Sequence, residues 1–317
     1  MPPFAHLPDQ LRFEGEFGAE INSFLPFVHW LWDAGALGGR RIVTYRGMTP
    51  FYGFLPLAQL TEIDAPRRYV PPCDRPFWLP TRDDHGPRRR CFESFPDYRT
   101  LHANDLFTAG ADTRPLLVLH NKFCTEWDHA PVNFLPLDLL AETLAALQGT
   151  FRIVYSRPGI APPGRDYSAD HQPDHDLGER DLLAAFPDVI LFEDLAAQLA
   201  PLYGYNQLKL MLYAKTYFHI TTQGGNAHLA ALFGGSLLGI YHRAGQELRH
   251  SYHAGHFTHA AHPTPTLLIA QDPAQYEAML PLFAAARLIG NRVHLHPDHV
   301  DYANAPPPST NSTAPVM

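Results

Sequence analysis

The sequence predicts an α/β protein with mostly parallel sheets and two domains. From about Arg114 onward, short apolar runs alternate with amphipathic stretches, and wholly apolar strands are typical of a parallel sheet covered on both faces by helices. The 317 residues are enough for two compact domains. Composition changes near residues 105–114, so we expect domains at 1–112 and 113–300, followed by a disordered tail at 301–317.

The N-terminal domain begins with one strand–helix–strand unit. A short strand, a glycine-bearing turn and an amphipathic helix precede the strand "RRIVTYR" at 40–46. Residues 62–100 are rich in Pro and Arg and show little periodicity, so we predict loops there with up to two short strands.

The C-terminal domain carries the clearer pattern. Its predicted strands are the apolar runs at 115–120, 151–156, 188–193, 217–222, 236–242 and 266–270. Its predicted helices are the amphipathic stretches at 135–148, 205–215, 226–234 and 273–290. In such an alternation the helices connect parallel strands, and the carboxyl ends of the strands meet at one edge of the sheet.

Charge and cysteine content exclude several classes of function. The 24 Lys and Arg residues against 32 Asp and Glu give a net charge of −8, so a nucleic-acid binder is not expected. Three scattered cysteines are too few for a disulfide framework or a four-cysteine zinc site, which indicates a reducing compartment. Because no signal peptide or bilayer-spanning apolar run is evident, we expect a cytoplasmic protein, with peripheral membrane contact left open.

Polar residues follow the predicted strands of the C-terminal domain. In an open α/β sheet, ligands bind outside the carboxyl ends of the strands. The residues that fall at these ends form one candidate ligand-binding rim, which comprises Lys122, Arg157, Glu193, Gln223, Gly224, Gly225, Asn226, His228 and His242.

The stretch "TTQGGNAHLAALFGG" at 221–235 is the most informative part of this rim. Its glycine pair would let the backbone approach a ligand, and a helix starting near Asn226 would direct N–H groups toward a phosphate. Lys122 and Arg157 would supply cations, and Glu193 would accept hydrogen bonds from sugar hydroxyls. Each feature also has a simpler interpretation, as a turn, a solvated cation or a helix cap.

The segment "TTQGGNAHLAALFGGSLLGIYH" resembles the donor site of two-domain, GT-B-type glycosyltransferases, especially the bacterial heptosyltransferases. "GEFGAEINSFLPF" at 15–27 is similar to the opening loop of the same group. The two segments cover about 35 residues, and the order of strands and helices extends the likeness over most of 114–290. Gln223 replaces the group's usual acidic residue, and Ala19 separates Glu20 from the preceding glycine, so the sugar stays open.

The resemblance implies two Rossmann-like domains that face each other across a cleft. It also implies inverting, metal-independent transfer of a sugar from a nucleotide-sugar donor to a glycan or glycolipid acceptor, with no cofactor. Glu20 is then the candidate general base and Glu16 the alternative, although either carboxylate could simply stabilise a helix N-terminus. A nucleotide-sugar epimerase of the same shape and a non-catalytic binder of sugar nucleotides or glycans stay open.

One histidine series suggests a metal site but has the wrong spacing for it. The histidines recur every three residues, at His250, His253, His256, His259 and His262. A three-residue step turns by roughly 300° on an α-helix, so the imidazoles drift around it instead of converging, and we expect loop histidines. The sequence also contains no P-loop, dinucleotide-binding fingerprint or nucleophile elbow.

Overall fold

A small parallel sheet lies at the centre of the N-terminal unit, by which we mean the described residues up to 108. The computed structural model describes residues 7–71, 74–76, 78–80, 91–108, 110, 112–125, 130–160, 175–242 and 261–295. The three strands are β1 (Gln10–Arg12), β2 (Arg41–Tyr45) and β3 (Leu60–Ile63). They pair in parallel in the order β1-β2-β3.

Between β1 and β2 the chain is helical in three successive forms. These are α1 (Phe17–Ala19), a π-helix (Glu20–Phe24) and α2 (Leu25–Asp33). All five residues of the π-helix are buried. π-helical turns are rare and are frequently found at functional sites, which makes this segment a candidate part of a site. A short helix, α3 (Tyr98–Leu101), follows later in the chain.

The C-terminal unit, described residues 112–295, is built on a six-stranded parallel sheet. Its strands are β4 (Leu116–His120), β5 (Arg152–Ser156), β6 (Ile190–Leu191), β7 (Phe218–Thr222), β8 (Leu237–Tyr241) and β9 (Thr266–Ala270). They lie in the order β6-β5-β4-β7-β8-β9. The predicted α/β class with mostly parallel sheets is therefore confirmed, and two facing domains around a cleft stay a prediction.

Helices cover both faces of this sheet. They are α4 (Leu137–Leu147), α5 (Glu179–Leu183), α6 (Phe192–Leu199), α7 (Tyr205–Lys215), α8 (Gly225–Ala231) and α9 (Pro273–Ala285). One buried core joins α4 and α9 to one face, through residues such as Leu140 and Phe283. A second core joins α7 and α8 to the other face and continues into the N-terminal unit, with Val118, Leu229 and Phe24 among its members.

Several boundaries differ from the predicted ones. The run 188–193 forms only a two-residue strand, and α6, which the sequence analysis missed, begins directly after it. The predicted helix 273–290 ends at Ala285 and is followed by an antiparallel hairpin, β10 (Arg287–Ile289) and β11 (Arg292–His294). Gly290 lies in the turn of this hairpin with φ 62°, a left-handed conformation that an α-helix does not contain, so the helix cannot continue through this position.

The predicted tail lies outside the described residues. Within the described ranges, no helix is long and apolar enough to cross a bilayer.

Candidate functional site

The strand order creates a switch point between β4 and β7. The chain leaves β4 for β5 through α4 on one face of the sheet, and leaves β7 for β8 through α8 on the opposite face. Where successive connections diverge in this way, the loops at the carboxyl ends separate and leave a crevice, which is the usual ligand site of open α/β sheets. We call the space between the carboxyl ends of β4 and β7 the crevice.

Lys122 lies across this crevice. Its Nζ is 3.4 Å from the position that a Cβ would take on Gly224, so the ammonium group, which follows β4, contacts the loop that follows β7. Buried Asn121 fixes the start of the loop that follows β4 and carries Lys122. Its amide nitrogen donates to Leu135 O at 3.0 Å, and its oxygen accepts from the backbone N–H groups of Lys122 and Leu135 at 2.9 Å each.

The glycine pair has two separate roles. Gly224 has φ 144° and ψ −167°, a conformation that favours glycine. A Cβ on Gly225 would lie 2.6 Å from Phe17 Cδ1 and 3.2 Å from Gly18 N, so this glycine allows the close approach of the N-terminal unit. The pair was predicted to admit a ligand, yet at Gly225 the neighbour is the protein's own α1. Gly224, Gly225 and Asn226 remain half-buried at the crevice.

The other predicted residues of this loop and of the end of β8 are buried. Gln223 is 2 % exposed and His228 is 8 % exposed. His242 Nδ1 forms a 2.9 Å hydrogen bond with Asn133 Oδ1, which ties the end of β8 to the loop that leads into α4. Burial, and then the charge of Lys122, lower the pKa of His242 to about 4, so its imidazole is neutral at pH 7.

Arg157 does not present its charge at the crevice as predicted. Its guanidinium is 1 % exposed and forms an ion pair with Glu179, which is fully buried. A buried ion pair of this kind keeps its partners because breaking it would leave an uncompensated charge. Arg157 therefore has a structural role in the ion pair with Glu179, and its guanidinium is not exposed at the crevice.

Glu193 is also engaged within the protein. Its Oε1 accepts hydrogen bonds from Ser156 Oγ at 3.0 Å and from Tyr205 OH at 3.1 Å, and the residue is 1 % exposed. Burial raises the pKa of this carboxyl group. Glu193 was predicted to contact a sugar hydroxyl, but in the structure it takes part in a hydrogen-bond network that links β5, α6 and α7.

Glu20 lies in a buried polar network of the N-terminal unit. Its Oε2 lies 2.7 Å from Arg67 Nη2, and its Oε1 accepts hydrogen bonds from Thr44 Oγ1 and from Tyr52 OH at 2.8 Å. Glu20 is fully buried and Arg67 is 1 % exposed. Burial, and then the nearby Glu20 charge, raise the pKa of Tyr52 well above its usual value.

This environment argues against Glu20 as the general base. A base must come within hydrogen-bond reach of the acceptor hydroxyl, whereas Glu20 is enclosed and its charge is balanced by a buried guanidinium. The alternative, Glu16, is half-buried and directly precedes Phe17, whose ring contacts Gly225. Glu16 is thus the better-placed of the two predicted carboxylates.

The sequence analysis missed two buried basic residues, one at the crevice and one behind it. His120 ends β4 and is paired in register with Ser156 on one side and Thr221 on the other. Burial, followed by the charges of Lys209 and Lys122, holds its pKa well below the usual value. Lys209 lies inside α7, is 4 % exposed, and has its pKa lowered to about 8 by burial. The sequence pattern could have indicated this buried charge, because the lysine stands within the mostly apolar run "QLKLML".

This arrangement places two lysine side chains at and behind the crevice. Lys122 lies at the crevice itself, and Lys209 lies behind it on the face that meets the N-terminal unit, within 5.8 Å of the Phe17 ring. No group of three or more His, Cys, Asp or Glu side chains suited to a metal occurs among the described residues. Of the histidine series, His250 to His259 fall outside these residues.

Comparison of the chain with family models, curated proteins and solved structures returned no match.

Proposed function

We propose that this protein is a glycosyltransferase that moves a sugar from a nucleotide-sugar donor to a glycan or glycolipid acceptor. The supporting observation is the contact between Lys122 and Gly224 at the switch point of the sheet. A phosphate at this position would meet the ammonium group of Lys122 and the backbone of a glycine that carries no side chain of its own, which is the combination that phosphate sites use.

The proposed chemistry divides between the two units. Lys122 stabilises the negative charge that develops on the departing diphosphate. Glu16 removes the proton from the acceptor hydroxyl as that oxygen attacks the anomeric carbon of the sugar. The Glu20–Arg67 ion pair anchors the helical run that carries Phe17 against Gly225, so Glu20 contributes by positioning.

The test of this function separates binding from turnover. Calorimetry against UDP-, GDP- and ADP-sugars identifies the donor, and release of free nucleotide from that donor measures turnover. We expect Glu16→Gln to reduce nucleotide release by about 100-fold or more, with the donor Kd unchanged. Glu14→Gln is the matched control, because Glu14 is a nearby half-exposed carboxylate that pairs with Arg12 and Arg68. Equal turnover in Glu16→Gln and the wild type would refute the assigned base.

A non-catalytic sugar-nucleotide-binding protein is the second candidate. It is favoured by the complete engagement of Glu20, the carboxylate that the resemblance assigns to catalysis. Such a protein would bind a donor through Lys122 and would release neither nucleotide nor an altered sugar. An epimerase would differ again, since it would convert the sugar of the donor without any acceptor.

A further inference from the structure

Lys209 is a buried cation that faces aromatic rings instead of a carboxylate. It lies in α7 and is 4 % exposed, and its Nζ is 5.8 Å from the centre of the Phe17 ring and 5.9 Å from that of the Tyr205 ring. Among the described residues no carboxylate lies within ion-pair distance of this ammonium group, and Glu193 acts on it only as a more distant charge. Because buried charges are normally paired, this group has the capacity to bind an anion.

His120 brings two hydrogen-bonding nitrogens to the same face of the sheet. It stands two positions after Val118 in β4, and alternate side chains of a strand share a face, so its imidazole points to the face that α7 covers. The residue is 3 % exposed, and neither ring nitrogen has a hydrogen-bond partner among the residues that the structure describes. Lys209 is the neighbouring charge with the largest effect on the pKa of His120, so the two side chains lie close together.

The nearest carboxylate is directed away from this pair. Ser156, which is in register with His120, donates to Glu193 Oε1 at 3.0 Å, and Tyr205 OH donates to the same oxygen at 3.1 Å. Burial also raises the pKa of Glu193, which favours its neutral form and reduces the repulsion that an anion would meet. Glu193 is thus engaged by hydroxyl groups and leaves the Lys209 charge uncompensated.

Phe17 lies between Lys209 and the N-terminal unit. Its half-buried ring is 5.8 Å from Lys209 Nζ and 5.7 Å from Arg67 Cζ. The Arg67 charge is balanced by Glu20 at 2.7 Å, whereas that of Lys209 has only the rings. Phe17 also contacts Gly225 beside the crevice, since its Cδ1 lies 2.6 Å from the position that a Cβ would take there. The ring therefore takes the place beside Lys209 that an anion entering from the crevice would need.

We propose that Lys209 and His120 form a phosphoryl-binding position behind the crevice, and that the Phe17 ring covers this position until a ligand displaces it. The oxygens of a phosphoryl group can accept hydrogen bonds from the ammonium group and the imidazole at once, and the charge-assisted bond is stronger than the cation–π contact that it replaces. The proposal rests on the entry of a phosphorylated ligand into the crevice, as the proposed function does, but it does not require sugar transfer.

Calorimetric titration of the full chain with inorganic pyrophosphate tests this position. We expect the wild type to bind, and Lys209→Met and His120→Leu each to weaken binding by about tenfold or more. Phe17→Leu keeps an apolar contact with Gly225 but removes the aromatic face, so it should tighten binding by about fivefold. When Phe17→Leu is added to Lys209→Met, the affinity should not change further, because the gain depends on the ammonium group.

Matched controls separate this position from general effects of charge and aromatic content. Lys215→Met removes a partly exposed lysine at the far end of α7, and Phe54→Leu removes a half-buried ring that packs on Trp32. Both should bind pyrophosphate like the wild type. Lys209→Met should melt at or above the temperature of the wild type, because an apolar side chain replaces a buried charge, so its loss of binding is not a loss of folding.

Four results would overturn the proposal. They are equal pyrophosphate affinity in Lys209→Met and the wild type, no gain in Phe17→Leu, no pyrophosphate binding by any form, and tighter binding of glucuronate, a carboxylate probe, than of pyrophosphate. The function proposed above fails on a different result, which is the absence of nucleotide release from every donor, so the two failures can be distinguished.

Discussion

Replacing Arg99 with methionine should loosen the attachment of the two units to each other. Arg99 lies in α3, whose N-cap, Asp97, accepts hydrogen bonds from the backbone N–H groups of Arg99 and Thr100. Its guanidinium reaches into the C-terminal unit and donates to the carbonyls of residues at the ends of α7 and α8, which are Ala214 and Thr216 for α7 and Phe233 and Gly234 for α8.

The magnitude follows from these contacts. The four carbonyl bonds, at 2.8 to 3.0 Å, and a fifth to Ser236 Oγ at 2.9 Å are worth roughly 0.5–1 kcal/mol each. The guanidinium also stacks 3.6 Å from the centre of the Tyr217 ring, which adds roughly 1 kcal/mol. Burial lowers the pKa of Arg99 only to about 10, so the charge is present at pH 7. We therefore expect Arg99→Met to cost about 4 kcal/mol.

Thermal and urea unfolding measure this cost. A loss of about 4 kcal/mol corresponds to a fall in melting temperature of roughly 10 °C for a chain of this size. Arg99→Lys should fall between the wild type and Arg99→Met, because an ammonium group has three donors and cannot form the planar fork. Arg68→Met is the control, since Arg68 forms an exposed ion pair with Glu14. A shift below about 2 °C for Arg99→Met would refute the reasoning.

Three further predictions follow from buried groups. Burial holds the pKa of His219 at about 3 and that of His242 at about 4, so below pH 6.5 the unfolded chain binds protons that the folded protein does not. Each histidine should therefore lower the free energy of unfolding by about 2 kcal/mol between pH 6.5 and pH 5, as measured by urea unfolding. Unchanged stability at pH 5 would contradict this. Glu20→Gln should lower stability by about 3–5 kcal/mol, because it leaves the Arg67 charge buried without its carboxylate, and a variant as stable as the wild type would show that the ion pair is dispensable. Gly225→Ala should cost about 1–3 kcal/mol in thermal unfolding because the new methyl group would overlap the Phe17 ring, and a neutral result would mean that the two units separate easily at this contact.

The sheet of the C-terminal unit could be predicted because its signal is local. Strands such as Leu116–His120 and Leu237–Tyr241 are buried along their whole length and therefore read as continuous apolar runs. The positions of Lys122 and Gly224 followed from the same pattern, since each residue stands two positions after the end of a strand. Their contact across the crevice depends on strand order, which no local pattern encodes.

The roles of charged residues could not be predicted, because their partners lie far along the chain. Glu20 pairs with Arg67, a residue in a segment without periodic pattern. Arg157 directly follows β5 as expected and Glu193 lies in the first turn of α6, but both are bonded within the protein, to Glu179 and Tyr205 respectively. In each case the choice between a ligand contact and an internal contact depends on which side chain is nearest in three dimensions.

The account depends most on the presence of an anion at the crevice beside Lys122. Calorimetric titration with UDP, GDP and ADP, on the wild type and on Lys122→Met, tests it most directly, with Lys215→Met as the control because Lys215 is a partly exposed lysine at the far end of α7. We predict that at least one nucleotide binds, that Lys122→Met weakens its binding by about 10- to 100-fold, and that Lys215→Met leaves it unchanged. Binding of equal strength in Lys122→Met and the wild type, or no binding of any of the three nucleotides, would contradict the account.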